Sequence, residues 1–100
     1  MWCTMADIDA LATRITAQAD RLFPNRTDTS MFLKLYGEIA EMIDANPDNV
    51  EGEVADVLIM VLDFARRRGI SISTAIQRKM AVNDVRKWET NQLGVAKHVE

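Results

Sequence analysis

Residues 34–41 read KLYGEIAE and residues 53–59 read EVADVLI, on either side of the turn sequence NPDN at 46–49. Proline cannot continue a helix, and Asn and Asp favour turns and caps, so the NPDN sequence ends one helix and precedes another. Two helices joined by so short a connection are expected to lie side by side and to run antiparallel. This pair of adjacent helices is the part of the sequence that decides the fold.

Each of these two helices contains a pair of acidic residues: Glu38 and Glu41 in the first, and Glu53 and Asp56 in the second. Residues three apart in an α-helix lie roughly 60° apart around the axis and about 4.5 Å apart along it, so each pair shares a face. Reflection about Pro47 brings Glu41 opposite Glu53, and Glu38 opposite Asp56. The spacing therefore predicts that four carboxylates converge in two layers between the helices.

Carboxylates that converge in this way repel one another, and partly buried ones resist ionising together unless a cation lies between them. Any one of these acids alone is more typical of an ordinary exposed helix position. Asp56, however, interrupts the most apolar helix, where a solvated aspartate would be out of place. Because Mg²⁺ prefers carboxylate, water and phosphate oxygens, the set of four predicts a Mg²⁺ site, with Mn²⁺ as a substitute.

Apolar residues at helical spacing predict two further helices, one before and one after this pair. The third helix is apolar nearly all round, which predicts a central, buried position and suggests cover from a second copy of the chain. We therefore predict an all-α fold, a four-helix antiparallel bundle completed by oligomerisation, with residues 1–100 as a single domain and a weakly specified tail from about residue 89. The predicted helices run from about Met5 to Phe23, from about Ser30 to Ala45, from about Val50 to Arg68, and from Ser71 or Ser73 to at least Trp88.

The predicted fourth helix has a polar stripe of Lys79, Asn83 and Arg86 at positions i, i+4 and i+7. Two cations and an amide suit phosphate or ribose contacts beside a metal cluster, and a solvated polar face explains the spacing equally well. Asp63 lies two helical turns after Asp56, also within apolar sequence, and is expected either to support the metal ligands from behind or to pair with a base such as Lys79 or Arg78. Three successive arginines at 66–68 are interpreted as the end of a helix rather than as a phosphate site.

Composition excludes several functional classes. The net charge of −3 gives no general attraction to nucleic acid or to anionic membranes. Cys3 is the only cysteine, which excludes an intrachain disulfide and a cysteine zinc site, and His98 is the only histidine, which disfavours a di-iron bundle. The longest apolar stretch is too short to span a bilayer and no signal peptide is visible. We therefore predict a cytoplasmic protein with no nucleic-acid or membrane partner.

These motifs, together with RRRGI at 66–70 and KMAVNDVRKW at 79–88, resemble the MazG-like, all-α nucleoside triphosphate pyrophosphohydrolase superfamily. The matched segments cover roughly half of the chain. The resemblance implies Mg²⁺-dependent hydrolysis of a nucleoside triphosphate, expected to be a dNTP or a modified NTP, to the monophosphate and pyrophosphate, in nucleotide-pool housecleaning. It implies a homodimer or homotetramer. It also implies metal-ligand and catalytic roles for Glu38, Glu41, Glu53 and Asp56, and substrate contacts for Lys79, Asn83 and Arg86.

One position departs from the pattern that the resemblance implies. The superfamily motif is E-E-x-x-E, and Gly37 replaces its first glutamate. A glycine within a helix is destabilising by about 0.5–1 kcal/mol relative to alanine, which predicts a compensating feature such as a close approach of another helix. Its presence predicts reduced or altered activity. Two alternatives stay open: a phosphoribosyl-ATP pyrophosphohydrolase-like enzyme, and a non-catalytic helical module that binds a nucleotide or a protein.

Overall fold

The structure, a computed structural model, describes residues 5–99 of the chain, with side chains from residue 7 onward. It contains four helices followed by a two-stranded antiparallel hairpin, so the predicted four-helix fold is confirmed and the hairpin is an addition to the all-α prediction. Within residues 5–99, no helix is both long enough and apolar enough to cross a membrane. The elements are α1 (Met5–Leu22), α2 (Asp28–Asp44), α3 (Val50–Arg67), α4 (Ile72–Val85), β1 (Lys87–Thr90) and β2 (Ala96–Val99).

Local hydrogen bonds explain where the two central helices begin and end. α2 starts at a capping box, in which the Thr27 side chain accepts from the Ser30 backbone N–H (3.1 Å) and the Ser30 hydroxyl accepts from the Thr27 N–H (2.8 Å). In the turn before α3, the Asn46 side chain accepts from the Asp48 N–H at 3.0 Å. α3 ends before Gly69, whose φ of 70° is the left-handed conformation expected of a residue just beyond a helix.

The central helix of the fold is α3, which packs against α1 on one side and α2 on the other, whereas α4 packs mainly against α1. The predicted central position of α3 is therefore confirmed, but a single chain leaves much of its apolar surface open: Leu58 is 53% exposed. Among the described side chains, the apolar residues that are buried are Ala12, Met31 and Ala65. So small a core is consistent with the cover from a second copy that the sequence predicts.

The fourth helix is shorter than predicted. It ends at Val85, and Trp88 lies in β1, opposite His98 of β2. The Trp88 indole N–H donates to the Asn83 carbonyl (3.0 Å), which occupies a carbonyl near the helix end, and its ring meets His98 edge-on at 6.2 Å between centroids. The tail that the sequence left weakly specified is thus a hairpin, with Gly94 (φ 79°) in its turn.

Candidate metal centre

Three of the four predicted ligands converge between α2 and α3. One carboxylate oxygen from each of Glu38, Glu53 and Asp56 lies within 4.8 Å of the other two. Glu38 is buried, Glu53 is half-buried and Asp56 is exposed. The cluster therefore extends from the interior of the helix pair to an open edge, which leaves one side accessible to a ligand.

The fourth predicted ligand, Glu41, lies on the same face one turn after Glu38, outside the group of three. The negative charge of Glu38 raises the pKa of Glu41, and the charge of Glu53 acts in the same direction. Glu41 therefore lies close enough to both Glu38 and Glu53 to be affected by their charges. All four carboxylates belong to one electrostatic cluster, as the reflection about the turn predicted.

Two oxygens in this cluster are buried and lack a partner. Within the described residues, Oε2 of Glu38 and Oε2 of Glu53 have no hydrogen-bond donor. Buried polar atoms are rarely left unpaired, because each costs about 1–3 kcal/mol of desolvation. An all-oxygen donor set, with negative charges at short range and unpaired buried oxygens, fits a hard divalent cation such as Mg²⁺ or Mn²⁺.

A cavity of about 240 Å³ opens beside the cluster. It is bounded by the end of α1, the α1–α2 connection, α2 and α3, and most of its lining surface is apolar. Glu38 and Asp56 line one part of it, so it is continuous with the candidate metal centre. Apolar walls with a few polar groups at one end are typical of a small-molecule site. The other lining residues are Ala19, Phe23, Arg26, Met31, Lys34, Ile59, Met60 and Asp63.

Lys34 is a site residue that the sequence analysis missed. Its Nζ lies 3.2 Å from Oε1 of Glu38, four residues later on α2, and 69% of its side chain is exposed. It is the lysine that lines the cavity beside the carboxylates. The signal was present in the sequence, because a lysine four residues before a glutamate faces the same side of a helix.

The three predicted substrate contacts of the fourth helix do not lie at this cavity. None of Lys79, Asn83 and Arg86 is among its described lining residues. Arg86 lies beyond the end of α4, with extended backbone, so the predicted helical stripe is broken after Asn83. Asn83 keeps one notable feature: within residues 5–99 its buried Oδ1 has no hydrogen-bond partner. The substrate roles of these three residues stay predictions.

Asp63 pairs with a different base from those predicted. Neither Lys79 nor Arg78 is its partner. Arg26 donates from Nε to Asp63 Oδ2 at 2.8 Å and from Nη2 to Oδ1 at 3.0 Å. The prediction failed because Arg26 belongs to the α1–α2 connection, 37 residues away in the chain, where helical spacing gives no information.

The arginines at 66–68 bind protein groups, in agreement with their interpretation as a helix end. Arg66 donates to the Thr13 hydroxyl, Arg67 to a backbone carbonyl, and Arg68 to the Asp28 carboxylate. Gly37, by contrast, has no close neighbour. A Cβ built there would meet nothing within 4 Å, so the predicted close approach of another helix is wrong.

Comparison with known proteins agrees with this geometry. A profile of the family described as dATP/dGTP pyrophosphohydrolase matches residues 19–100. A dATP/dGTP diphosphohydrolase of Salmonella phage PMBT28 is 44% identical over 96 residues, which are 96% of this chain and 32% of that protein. The chain thus spans about a third of this relative. A dATP/dGTP diphosphohydrolase of cyanophage S-2L is 35% identical over 94% of this chain and 90% of its own length.

A solved structure has the same fold. The MazG-like pyrophosphohydrolase of cyanophage S-2L, bound to dGDP and three catalytic Mn²⁺ ions per active site, superposes with a TM-score of 0.82 at 35% identity. The match covers 98% of this chain and 95% of that one, so it includes the hairpin as well as the helices. The resemblance inferred from the motifs is therefore confirmed, and the chain belongs to the MazG-like dATP/dGTP pyrophosphohydrolase family.

Proposed function

We propose that this protein hydrolyses dATP and dGTP between the α- and β-phosphates, giving the monophosphate and pyrophosphate, with Mg²⁺ as its metal and Mn²⁺ as a substitute. The observation that carries the proposal is the convergence of Glu38, Glu53 and Asp56 within 4.8 Å beside an apolar cavity. The activity named for both phage relatives, and the dGDP and Mn²⁺ bound to the cyanophage protein, support this substrate class and a divalent metal.

We assign different roles to the four carboxylates according to their positions. Glu38, Glu53 and Asp56 would hold the divalent cations, which neutralise the triphosphate and lower the pKa of a bound water. The unpaired Oε2 atoms of Glu38 and Glu53 would be available to hold the cations. Glu41, outside this group of three and at its exposed edge, also contributes to metal binding and is the carboxylate that we assign as the acceptor of the proton from the attacking water.

The cavity suits the nucleoside and Lys34 suits the phosphates. A purine has an apolar face that packs well against aromatic and aliphatic side chains, and the cavity offers Phe23, Ile59 and Met60. Lys34 has an exposed ammonium beside Glu38, where it can bind a phosphate oxygen in place of the carboxylate. A nucleotide with its phosphates at the metals and its base among the apolar residues is therefore the arrangement we propose.

The wider biological setting belongs to the same proposal. Hydrolysis of dNTPs to monophosphates adjusts or cleans the nucleotide pool, and a homodimer or homotetramer would cover the apolar surface that a single chain leaves exposed. The cytoplasmic location stays a prediction.

The experiment that tests the proposal is product analysis of the purified protein. A panel of dNTPs, NTPs and phosphoribosyl-ATP is incubated with Mg²⁺, with Mn²⁺ and with a chelator, and the products are separated by chromatography. We expect monophosphate plus pyrophosphate from dATP and dGTP, only with metal. Release of orthophosphate, or turnover that persists in chelator, would contradict the proposal. Binding without product would favour the non-catalytic module, and preferred turnover of phosphoribosyl-ATP would favour the alternative enzyme.

A further inference from the structure

A buried ionic network closes the cavity at the end away from the carboxylate cluster. The side chains of Arg26 and Asp63 are only 9% and 6% exposed. The Arg26 guanidinium donates to both carboxylate oxygens of Asp63, a bidentate contact, and the Thr16 hydroxyl donates to Asp63 Oδ1 at 2.7 Å. Asp63 lies seven residues after Asp56 on α3, about 10.5 Å further along the helix axis. Because both aspartates line the cavity, the cavity extends over this length.

The network ties three parts of the chain together. Besides Asp63 on α3, Arg26 donates to the Asp20 carboxylate on α1 (2.9 Å) and to the carbonyl of Phe23 just beyond α1 (3.2 Å). Phe23 forms a wall of the cavity, although its side chain is 61% exposed and has little packing to hold it. Its position therefore depends on the backbone, whose N–H is bonded to the Ala19 carbonyl at 2.7 Å and whose carbonyl is bonded by Arg26.

A gain in the stability of the folded protein does not explain why a buried ion pair is present here. Desolvation of two charges offsets most of their attraction, and apolar side chains of similar volume often serve at least as well. Burial raises the pKa of Asp63, but the hydrogen bonds from Arg26 and Thr16 outweigh burial and leave its pKa below the ordinary value, so the carboxylate is charged at neutral pH. What the pair supplies is a fixed geometry, because the arginine fork admits one orientation of the carboxylate.

We propose that the network of Thr16, Asp20, Arg26 and Asp63 is a positioning device, which fixes Phe23 and the α1–α2 connection as the wall of the nucleoside end of the cavity. The inference rests on the proposed function, in which the phosphates lie at the other end. Thr16 and Asp20 are the informative members, because neither lines the cavity among its described residues. They act only through Asp63 and Arg26.

The test is a KM and kcat comparison for dGTP with the full chain. The principal variant is Thr16→Val with Asp20→Ala, which removes two supports of the network without touching the cavity. The second variant is Arg26→Lys, which keeps the positive charge and loses the bidentate hydrogen bonding to Asp63. Arg66→Lys is the matched control, since Arg66 also joins α3 to a threonine of α1 but lies outside this cavity. All proteins are compared at a temperature where circular dichroism shows each to be fully folded.

We expect both network variants to raise KM about tenfold, the change that follows from losing a charge-assisted contact, while kcat stays within about twofold and Mn²⁺ binding is unchanged. The control should match the wild type. An unchanged KM in the Thr16→Val, Asp20→Ala protein would overturn the proposal. So would a parallel loss of kcat and Mn²⁺ binding, because that pattern reports general structural damage.

The failure of this inference can be distinguished from failure of the proposed function. If the wild-type protein gives no product, the same variants are compared by calorimetry for Mn²⁺-dependent binding of dGDP. Weaker binding by both network variants, with the control unchanged, would support the positioning role in a non-catalytic protein. Equal binding by all of them, or none by the wild type, would overturn it.

Discussion

At the scale of single residues, the proposed function depends on Glu38, Glu41, Glu53 and Asp56, whose carboxylates are proposed to form one metal site. Replacing Asp56 with Asn, or Glu41 with Gln, preserves volume and removes one negative charge. We expect either change to reduce turnover of dGTP by at least about 100-fold, since even indirect damage to metal ligands costs up to that much. Helicity should stay near that of the wild type, because neither side chain is buried.

The matched control for this prediction is Glu51→Gln. Glu51 is an exposed glutamate in the first turn of α3, two residues before Glu53, and does not belong to the cluster of converging carboxylates. It should keep kcat within about twofold of the wild type. Normal turnover by both cluster variants would contradict the assigned site.

Gly37 offers a second prediction at this scale. A Cβ there would meet nothing within 4 Å, so Gly37→Ala should raise the free energy of unfolding by about 0.5–1 kcal/mol without changing kcat. Gly37→Glu, which restores the glutamate of the superfamily motif, should raise kcat or tighten Mn²⁺ binding. Denaturant unfolding and steady-state kinetics measure the two effects. If the glutamate and alanine variants have identical kinetics, the missing carboxylate has no role in activity.

The residues that sequence could predict were those related by local spacing. Glu38, Glu41, Glu53 and Asp56 follow from helix periodicity and the position of one turn. The partner of Asp63 could not be predicted in this way, because Arg26 reaches it from a loop distant in the chain, and loop conformation depends on tertiary packing.

At the scale of secondary-structure elements, the position of α4 depends on a contact with α1. The Asp9 carboxylate accepts from the Ser73 hydroxyl (2.7 Å), the Ser73 backbone N–H (3.2 Å) and the Ser71 hydroxyl (2.9 Å). It thereby caps the N-terminus of α4 in place of the Ser71 side chain, which makes no cap hydrogen bond. Ser71, one of the two serines at which the sequence predicts the start of this helix, is at the N-cap position, but the carboxylate that caps the helix comes from another element.

Asp9→Ala should lower the free energy of unfolding at neutral pH. The hydrogen bonds, above all that from the Ser73 hydroxyl, hold the pKa of Asp9 below its ordinary value of 3.8. A lowered pKa in the folded state means that the stabilisation is present above that ordinary value and is lost as the pH falls through the folded-state pKa. The difference in the free energy of unfolding between the wild type and Asp9→Ala should therefore become smaller below about pH 4.

Denaturant unfolding as a function of pH measures this effect, with Asp84→Ala, an exposed aspartate near the other end of α4, as the control. A difference in the free energy of unfolding between the wild type and Asp9→Ala that stays constant down to low pH would show that the charge of Asp9 is not what caps the helix.

The exposure of the hairpin explains why the sequence did not predict it. Its strands have four residues each and are exposed throughout, so they lack the apolar alternation that marks a half-buried strand. Trp88 extended the helical pattern beyond Val85, whereas in the structure it pairs with His98 across the hairpin and its indole bonds the Asn83 carbonyl.

At the scale of the whole molecule, apolar surface is the dominant feature. Tyr36 and Ile43, two turns apart on α2, are 75% and 74% exposed, and Leu58 of α3 is 53% exposed. Surfaces of this kind mark protein interfaces. Sedimentation equilibrium should therefore give a mass of two or four times the 11.3 kDa chain.

Ile43→Asp should shift that mass towards the monomer, since an interface cannot readily bury an unpaired charge. Thr29→Asp, an exposed position at the start of α2, should not. A wild-type mass equal to that of one chain would contradict the proposed dimer or tetramer.

The most direct test of the central claim is Mn²⁺ binding, followed by electron paramagnetic resonance, to the wild-type protein and to a Glu38→Gln, Glu53→Gln variant. We expect the wild type to bind Mn²⁺ and the variant, which changes both carboxylates that have a buried, unpaired Oε2 atom, to bind at least about 100-fold more weakly while remaining folded. Equal binding by the two proteins would mean that the metal lies elsewhere and that the convergence of these carboxylates has another cause.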